Sequence, residues 1–181
     1  MQAASECPSL AELELIPYID PNGQLPHQFE GQIGIYAIYT QEGLLAYIGY
    51  SRDVSLSLRQ HLVRRPEQCF GVKVCTVGRP DRTLLEAIKA SWIDENGTVP
   101  IGNGVEQALW EQPIDIKTQM QPAEVDQYTD EQLDDTERLS ILKKAARRVE
   151  QDILQALTNR GVTEPLRFNP KLKENGLLDL K

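Results

Sequence analysis

The sequence predicts an α+β fold: a small antiparallel three-stranded sheet flanked by helices, with an added C-terminal helix. Three observations carry that reading. Residues 33–39 and 45–51 are rich in β-branched and aromatic side chains and flank Gln41-Glu42-Gly43, the pattern of a hairpin. Residues 70–77 alternate strongly enough to supply a third strand. The second and third runs are each followed by apolar residues at helical spacing, which gives the order β-β-α-β-α.

Residues 1–30 hold Pro8, Pro17, Pro21, Asn22, Gly23 and Pro26, so they predict a poorly structured lead-in with at most one helical turn at 9–15. The central domain is expected over 31–103. After the hairpin, Asp53 is placed to cap a helix running to about residue 65, in which Val54, Leu58 and Leu62 form a buried stripe before Pro66 ends it. Gly78 and Pro80 close the third strand. A second helix over about 82–96 carries Leu85, Ile88 and Trp92 on one face and stops at Asn96-Gly97. Residues 104–128, acidic and interrupted by Pro113 and Pro122, read as an irregular connection. In 129–181, Thr129 with Gln132 forms a capping box for a long helix through Leu139, Leu142, Ala146, Val149, Ile153 and Leu157, closed by Gly161. That stripe is expected to pack on the domain. The ending, Leu177-Leu178-Asp179-Leu180, reads either as a packed tail or as a contact for a protein partner.

With 181 residues, one core is the default. No apolar run approaches the roughly 18 residues needed to span a bilayer, and the N-terminus lacks the basic and apolar regions of a secretory signal, so a cytoplasmic protein with no membrane role is expected. Cys7, Cys69 and Cys75 are odd in number and lack C-x-x-C spacing, which predicts reduced thiols, the latter two in the core. The net charge of −8 opposes generic nucleic-acid binding. Its distribution is uneven, however: −5 over 1–30, +1 over 31–103, −8 over 104–140 and +4 over 141–181. The acidity therefore lies mostly outside the central domain.

Within the hairpin stand two triplets, Gly34-Ile35-Tyr36 and Tyr47-Ile48-Gly49. Strand alternation places Tyr36 with Ile38 on one face and Tyr47 with Gly49 and Ser51 on a face of the partner strand, so two phenols can share a site. Gly49 would leave room for a backbone or phosphate, and a nearby carboxylate could hold one divalent ion through oxygen. Either triplet alone reads more simply as good strand formers with a glycine at a bulge. Both in one short window are expected by chance on the order of once in 100,000 chains of this length, from average residue usage.

Together the triplets resemble the signature of the GIY-YIG nucleases, with His61, Glu86 and Asn103 at matching places in the elements that follow. The resemblance covers about residues 31–103 and implies a GIY-YIG fold and a metal-dependent endonuclease that hydrolyses phosphodiester bonds in DNA. It implies catalytic roles for Tyr36, Tyr47, His61 and Glu86, with Glu86 binding Mg²⁺ or Mn²⁺, and substrate contacts from Gly49, Ser51, Arg59 and Asn103. Tyr36 would deprotonate or orient water, which requires a cation to stabilise its phenolate. Thr83-Leu84-Leu85-Glu86 is also a capping-box pattern, which would make Glu86 a helix cap instead.

One departure from the family pattern is Ser57, where an Arg one turn before His61 is usual. Arg59 lies about 200° around the helix from His61 and does not substitute for it. The alternative is thus a catalytically degenerate domain that binds nucleic acid or protein without cleavage. A third reading is a protein-interaction module built on the C-terminal helix and tail.

Overall fold

The computed structural model describes residues 7–181, and the expectations for residues 1–6 lie outside them. The architecture is α+β, with a four-stranded antiparallel sheet and several helices. The three expected strands are present as β2 (Ile33–Tyr39), β3 (Leu45–Ser51) and β4 (Gly71–Val77). They are joined by β1 (Ile16–Pro17), which pairs with β4 and gives the order β1-β4-β2-β3. Tyr36 faces Gly49 on β3 and Val74 on β4, so the middle of β2 is hydrogen-bonded on both sides. The register shifts between Ile38 and Tyr39, a local bulge that brings Leu45 opposite Tyr39.

The lead-in is a correction. Residues 7–30 are packed: Tyr18 and Leu25 are buried, Tyr18 donates from its hydroxyl to the Leu58 carbonyl at 2.6 Å, and turns close from the Glu12 amide to the Ser9 carbonyl, from the Gly23 amide to the Asp20 carbonyl and over a 3-10 turn at His27–Phe29. The prolines in this segment limit regular structure but leave its apolar residues free to be buried.

Helix α1 (Val54–Arg64) starts at Asp53, whose side chain accepts from the Leu56 amide. Helix α2 (Arg82–Asn96) starts at Asp81 and ends at Gly97, whose φ of 83° is the left-handed C-terminal geometry. Because Asp81 is the cap, Glu86 lies beyond the first turn and is not the partner of a capping box at Thr83.

The expected irregular connection 104–128 is also corrected. It holds α3 (Gln107–Glu111), β5 (Ile114–Asp115), a 3-10 turn over Ile116–Gln119 and α4 (Pro122–Tyr128). The long helix α5 (Asp135–Asn159) begins five residues later than expected, capped reciprocally by Asp134 and Glu137, while Thr129 ends α4. As expected, Leu142, Val149, Ile153 and Leu157 are buried, so the apolar stripe of α5 packs on the core. After α6 (Pro170–Lys173), β6 (Leu177–Leu178) pairs with β5, and Leu178 and Leu180 are buried: the tail is packed.

The sheet separates two apolar clusters. On one face Tyr36, Ile38 and Val72 meet α1, α5 and Trp110. On the other, Ile35, Ala37, Ile48 and Cys75 meet Leu10 and the Leu85, Ile88 and Trp92 face of α2. Cys75 is joined to Cys7 by a disulfide across 68 residues of sequence. This corrects the expectation of reduced thiols for that pair; Cys69 is free and fully buried, as expected.

Candidate functional site

A polar cleft of about 400 Å³ opens at the β3 edge of the sheet, between α1, α2 and α3. Tyr36 enters it from β2, Tyr47 and Gly49 from β3, His61 from α1 and Glu86 from α2. The four residues expected to be catalytic therefore share one cleft.

His61 is only 4% exposed, beside the buried Leu58 and Leu62 on α1. Its Nε2 lies 2.8 Å from the Tyr36 hydroxyl, and its Nδ1 faces the Trp110 backbone without a well-formed hydrogen bond. Burial, helped by the positive charge of Arg64, lowers the imidazole pKa to about 3, so the ring is neutral at ordinary pH. Burial also pushes the Tyr36 and Tyr47 phenols well above their usual range. Tyr36 is thus held protonated, the opposite of the phenolate that a water-activating role requires.

The remaining polar contacts tie the cleft together. The Tyr47 hydroxyl donates to Glu111 at 3.1 Å, and the Tyr50 hydroxyl donates to Glu86 at 2.6 Å. Arg64 donates to the Trp110 carbonyl at 2.7 Å and pairs with Asp179 at 2.5 Å, both side chains being nearly buried. Trp110 stacks flat on Tyr47 and touches His61 edgewise, closing the inner wall. Tyr50, Trp110 and Glu111 were not expected from sequence, and Arg64 only as half of an Arg64-Arg65 pair able to bind phosphate. The signal for Arg64 was available, since it stands one turn after His61-Leu62-Val63 on a capped helix; Trp110 and Glu111 lie in a segment without periodicity.

The expected contact residues are scattered. A Cβ at Gly49 would come within 2.6 Å of Tyr47 Cε1 and 2.8 Å of the Tyr36 hydroxyl, so this glycine makes room for two rings and not for a phosphate. Asn103 accepts from the Ile48 amide and donates to the Ile48 carbonyl, pairing the free edge of β3 as a neighbouring strand would. Ser51 is bonded to Asp53 and Ser57. Arg59 points away from the cleft, in ion pairs with Glu164 and Glu30.

No family model matches the chain. The chain is 36% identical over 104 residues to the bifunctional monothiol glutaredoxin-S16, chloroplastic, of Arabidopsis thaliana, an alignment that covers 55% of this chain and 34% of that protein. The chain thus matches about a third of the length of this curated relative.

That similarity is to a protein named as a glutaredoxin and not as a nuclease, and it overturns the GIY-YIG nuclease resemblance. The endonuclease function, with its hydrolase and DNA-cleaving character, and the alternative of a degenerate binding module are corrected with it. The Mg²⁺ or Mn²⁺ cofactor is corrected on two grounds. The relative is named for thiol chemistry, and among the described residues no group of three or more His, Cys, Asp or Glu is placed to hold a metal ion. Glu86 is instead engaged by Tyr50. As to location, no helix among the described residues is long and apolar enough to cross a membrane, and the relative's name places that protein in the chloroplast.

Proposed function

We propose that the chain takes part in glutaredoxin-type thiol–disulfide chemistry, with Cys7 and Cys75 as its redox couple and a small-molecule thiol of the glutathione class as its reductant. The observation that carries this reading is the Cys7–Cys75 disulfide, in a chain similar to part of a protein named as a glutaredoxin. Cys7 is partly exposed and Cys75 is buried, so an incoming thiolate meets Cys7 first. It bonds to Cys7 Sγ, the protein S–S bond breaks, and Cys75 leaves as a thiolate that takes a proton from water. A second small thiolate attacks the small-molecule sulfur of the mixed disulfide, which releases Cys7 as a thiolate that is protonated by water, together with the oxidised small-molecule disulfide. Two electrons pass to the protein disulfide and two small thiols are oxidised.

Cys69 takes no part. It is fully buried, and burial raises its thiol pKa to about 12, which leaves almost no thiolate near neutral pH. The cleft enters the same reading as a site for a polar ligand, lined by Tyr36, Tyr47, His61 and Glu86. With a neutral imidazole and two protonated phenols it offers hydrogen bonds in place of a strong base.

The test is equilibration of the protein in glutathione redox buffers, followed by acid trapping, alkylation and mass measurement. The expected result is a two-electron transition of the Cys7–Cys75 pair with a midpoint above about −300 mV, the level below which structural disulfides resist the glutathione pool. A pair that stays oxidised throughout is a structural cross-link and ends this reading.

A further inference from the structure

We propose that residues 7–15 are a redox-controlled strap: the Cys7–Cys75 disulfide clamps them over α2, and through α2 sets the position of Glu86 and Lys89 at the cleft. The inference rests on Cys7 and Cys75 being the redox couple of the preceding reading, and adds what that couple controls.

The strap is attached at both ends. At one it is covalently bound to β4 through Cys75, and at the other it runs into β1, where Ile16 pairs with Val72 and Pro17 with Gly71. Between these anchors it is fastened chiefly to α2. The Trp92 indole donates to the Pro8 carbonyl at 3.1 Å. The Glu95 carboxylate accepts from the Leu10 and Ala11 amides, each at 2.8 Å. Lys73 Nζ donates to the Leu10 carbonyl at 2.6 Å, and Leu10 itself is buried among Leu85, Ile88 and Trp92. Leu10 is the one buried apolar anchor, with Leu13 packed beside it only in part, so most of the strap's fastening is polar.

Helix α2 is where the two sites meet. Its Leu85, Ile88 and Trp92 face packs under the strap, while Glu86 and Lys89, on the flank beside that face, line the cleft. Glu86 is held there by the Tyr50 hydroxyl. With the disulfide closed, any opening of the strap is confined to a short tethered loop. Reduction frees one end: the S–S bond accepts two electrons and two protons from two small-molecule thiols, the strap opens as a local unit, and α2 loses the contacts that hold Trp92 and Glu95.

The two tryptophans provide the readout, since Trp92 lies under the strap and Trp110 lies across the sheet against Tyr47. In the full chain labelled with ¹⁵N, hydrogen exchange of the two indoles and of the amides of 9–13 and 84–96 is compared between oxidised wild type, wild type reduced with excess phosphine, and Cys7→Ser. Both reduced wild type and Cys7→Ser should raise exchange of the Trp92 indole and of these amides by about ten-fold or more, with Trp110 unchanged, as expected for local opening. Unchanged Trp92 and α2 exchange in both overturns the strap, whether or not glutathione reaches the disulfide. A raised exchange in both, with a disulfide that glutathione fails to reduce, upholds the mechanical coupling and removes the redox reading beneath it. If Cys7→Ser does not fold, the phosphine-reduced wild type alone decides between these outcomes.

Discussion

Tyr47 and Trp110 are stacked with ring centroids 5.1 Å apart and planes within 5° of parallel, so a residue from the predicted hairpin and one from a segment without predicted structure share one wall of the cleft. The rest of that wall is His61, 4.8 Å from the Tyr47 ring and 5.7 Å from the Trp110 ring. Trp110 is fully buried, so Trp110→Ala should cost about 3 to 5 kcal/mol, the range for deleting a large buried aromatic. Trp110→Phe, which retains a ring against Tyr47, should cost clearly less. Urea unfolding of the two variants beside wild type checks the order, and equal losses would mean that the stack adds nothing beyond volume.

His61 makes stability depend on pH. Its folded pKa, about 3, is below its ordinary value of 6.5, so the unfolded chain binds the proton more readily. The contribution is therefore fully present above about pH 6.5 and is lost as the pH falls towards 3, amounting at most to about 5 kcal/mol. Unfolding midpoints for wild type and His61→Gln should converge between pH 7 and pH 4, because the variant has no proton to gain. Parallel profiles would show that His61 is not held neutral in the fold.

Gly49→Ala addresses the crowding between the hairpin tyrosines. Its φ is not positive, so the backbone accepts alanine, and the cost arises from the new methyl against Tyr47 and Tyr36. Both rings are buried and anchored, by Glu111 and His61 respectively, so the substitution should destabilise by about 1 to 3 kcal/mol. Gly43→Ala, in open space but at φ 82°, provides a contrast in which only backbone strain operates. A Gly49→Ala protein as stable as wild type would mean that the rings move aside freely.

Reduction of Cys7–Cys75 should lower global stability as well as loosen the strap. A cross-link that closes a loop of this size contributes about 2 to 4 kcal/mol, largely by restricting the unfolded chain. Denaturant unfolding with and without a phosphine measures it. A loss below about 0.5 kcal/mol would place the bond among those whose unfolded-state effect is cancelled by other terms.

The parts of the fold written in local pattern were legible. The hairpin, β4, α1 and α2 each stand within a residue or two of where alternation, helical spacing and the cap at Asp53 place them. The start of α5 was misread because Thr129-x-x-Gln132 and Asp134-x-x-Glu137 both satisfy a capping box. The second supplies two carboxylates to the helix N-terminus and is the cap in the structure. Strand β1 is two residues long, too short for alternation to register, and it exists only because β4 offers an edge. The disulfide was illegible for a similar reason: no spacing rule links cysteines 68 residues apart, and the tertiary fold alone brings them together.

The site was legible in its members and not in their states. Tyr36, Tyr47, His61 and Glu86 do converge, but their protonation depends on how deeply Trp110 and α3 bury them, which the residues themselves do not encode. That burial turns an expected phenolate into a protonated phenol and keeps the imidazole a neutral core group.

The Arg64–Asp179 pair joins residues 115 positions apart, and both side chains are almost wholly shielded from water. During synthesis at roughly 5 to 20 residues per second, the hairpin and α1 precede Asp179 by several seconds at least. Throughout that interval the guanidinium beside the cleft has no carboxylate to neutralise it, and β5 has no β6 to pair with. Docking of residues 170–180 is therefore the step that neutralises this guanidinium and completes the wall of the cleft.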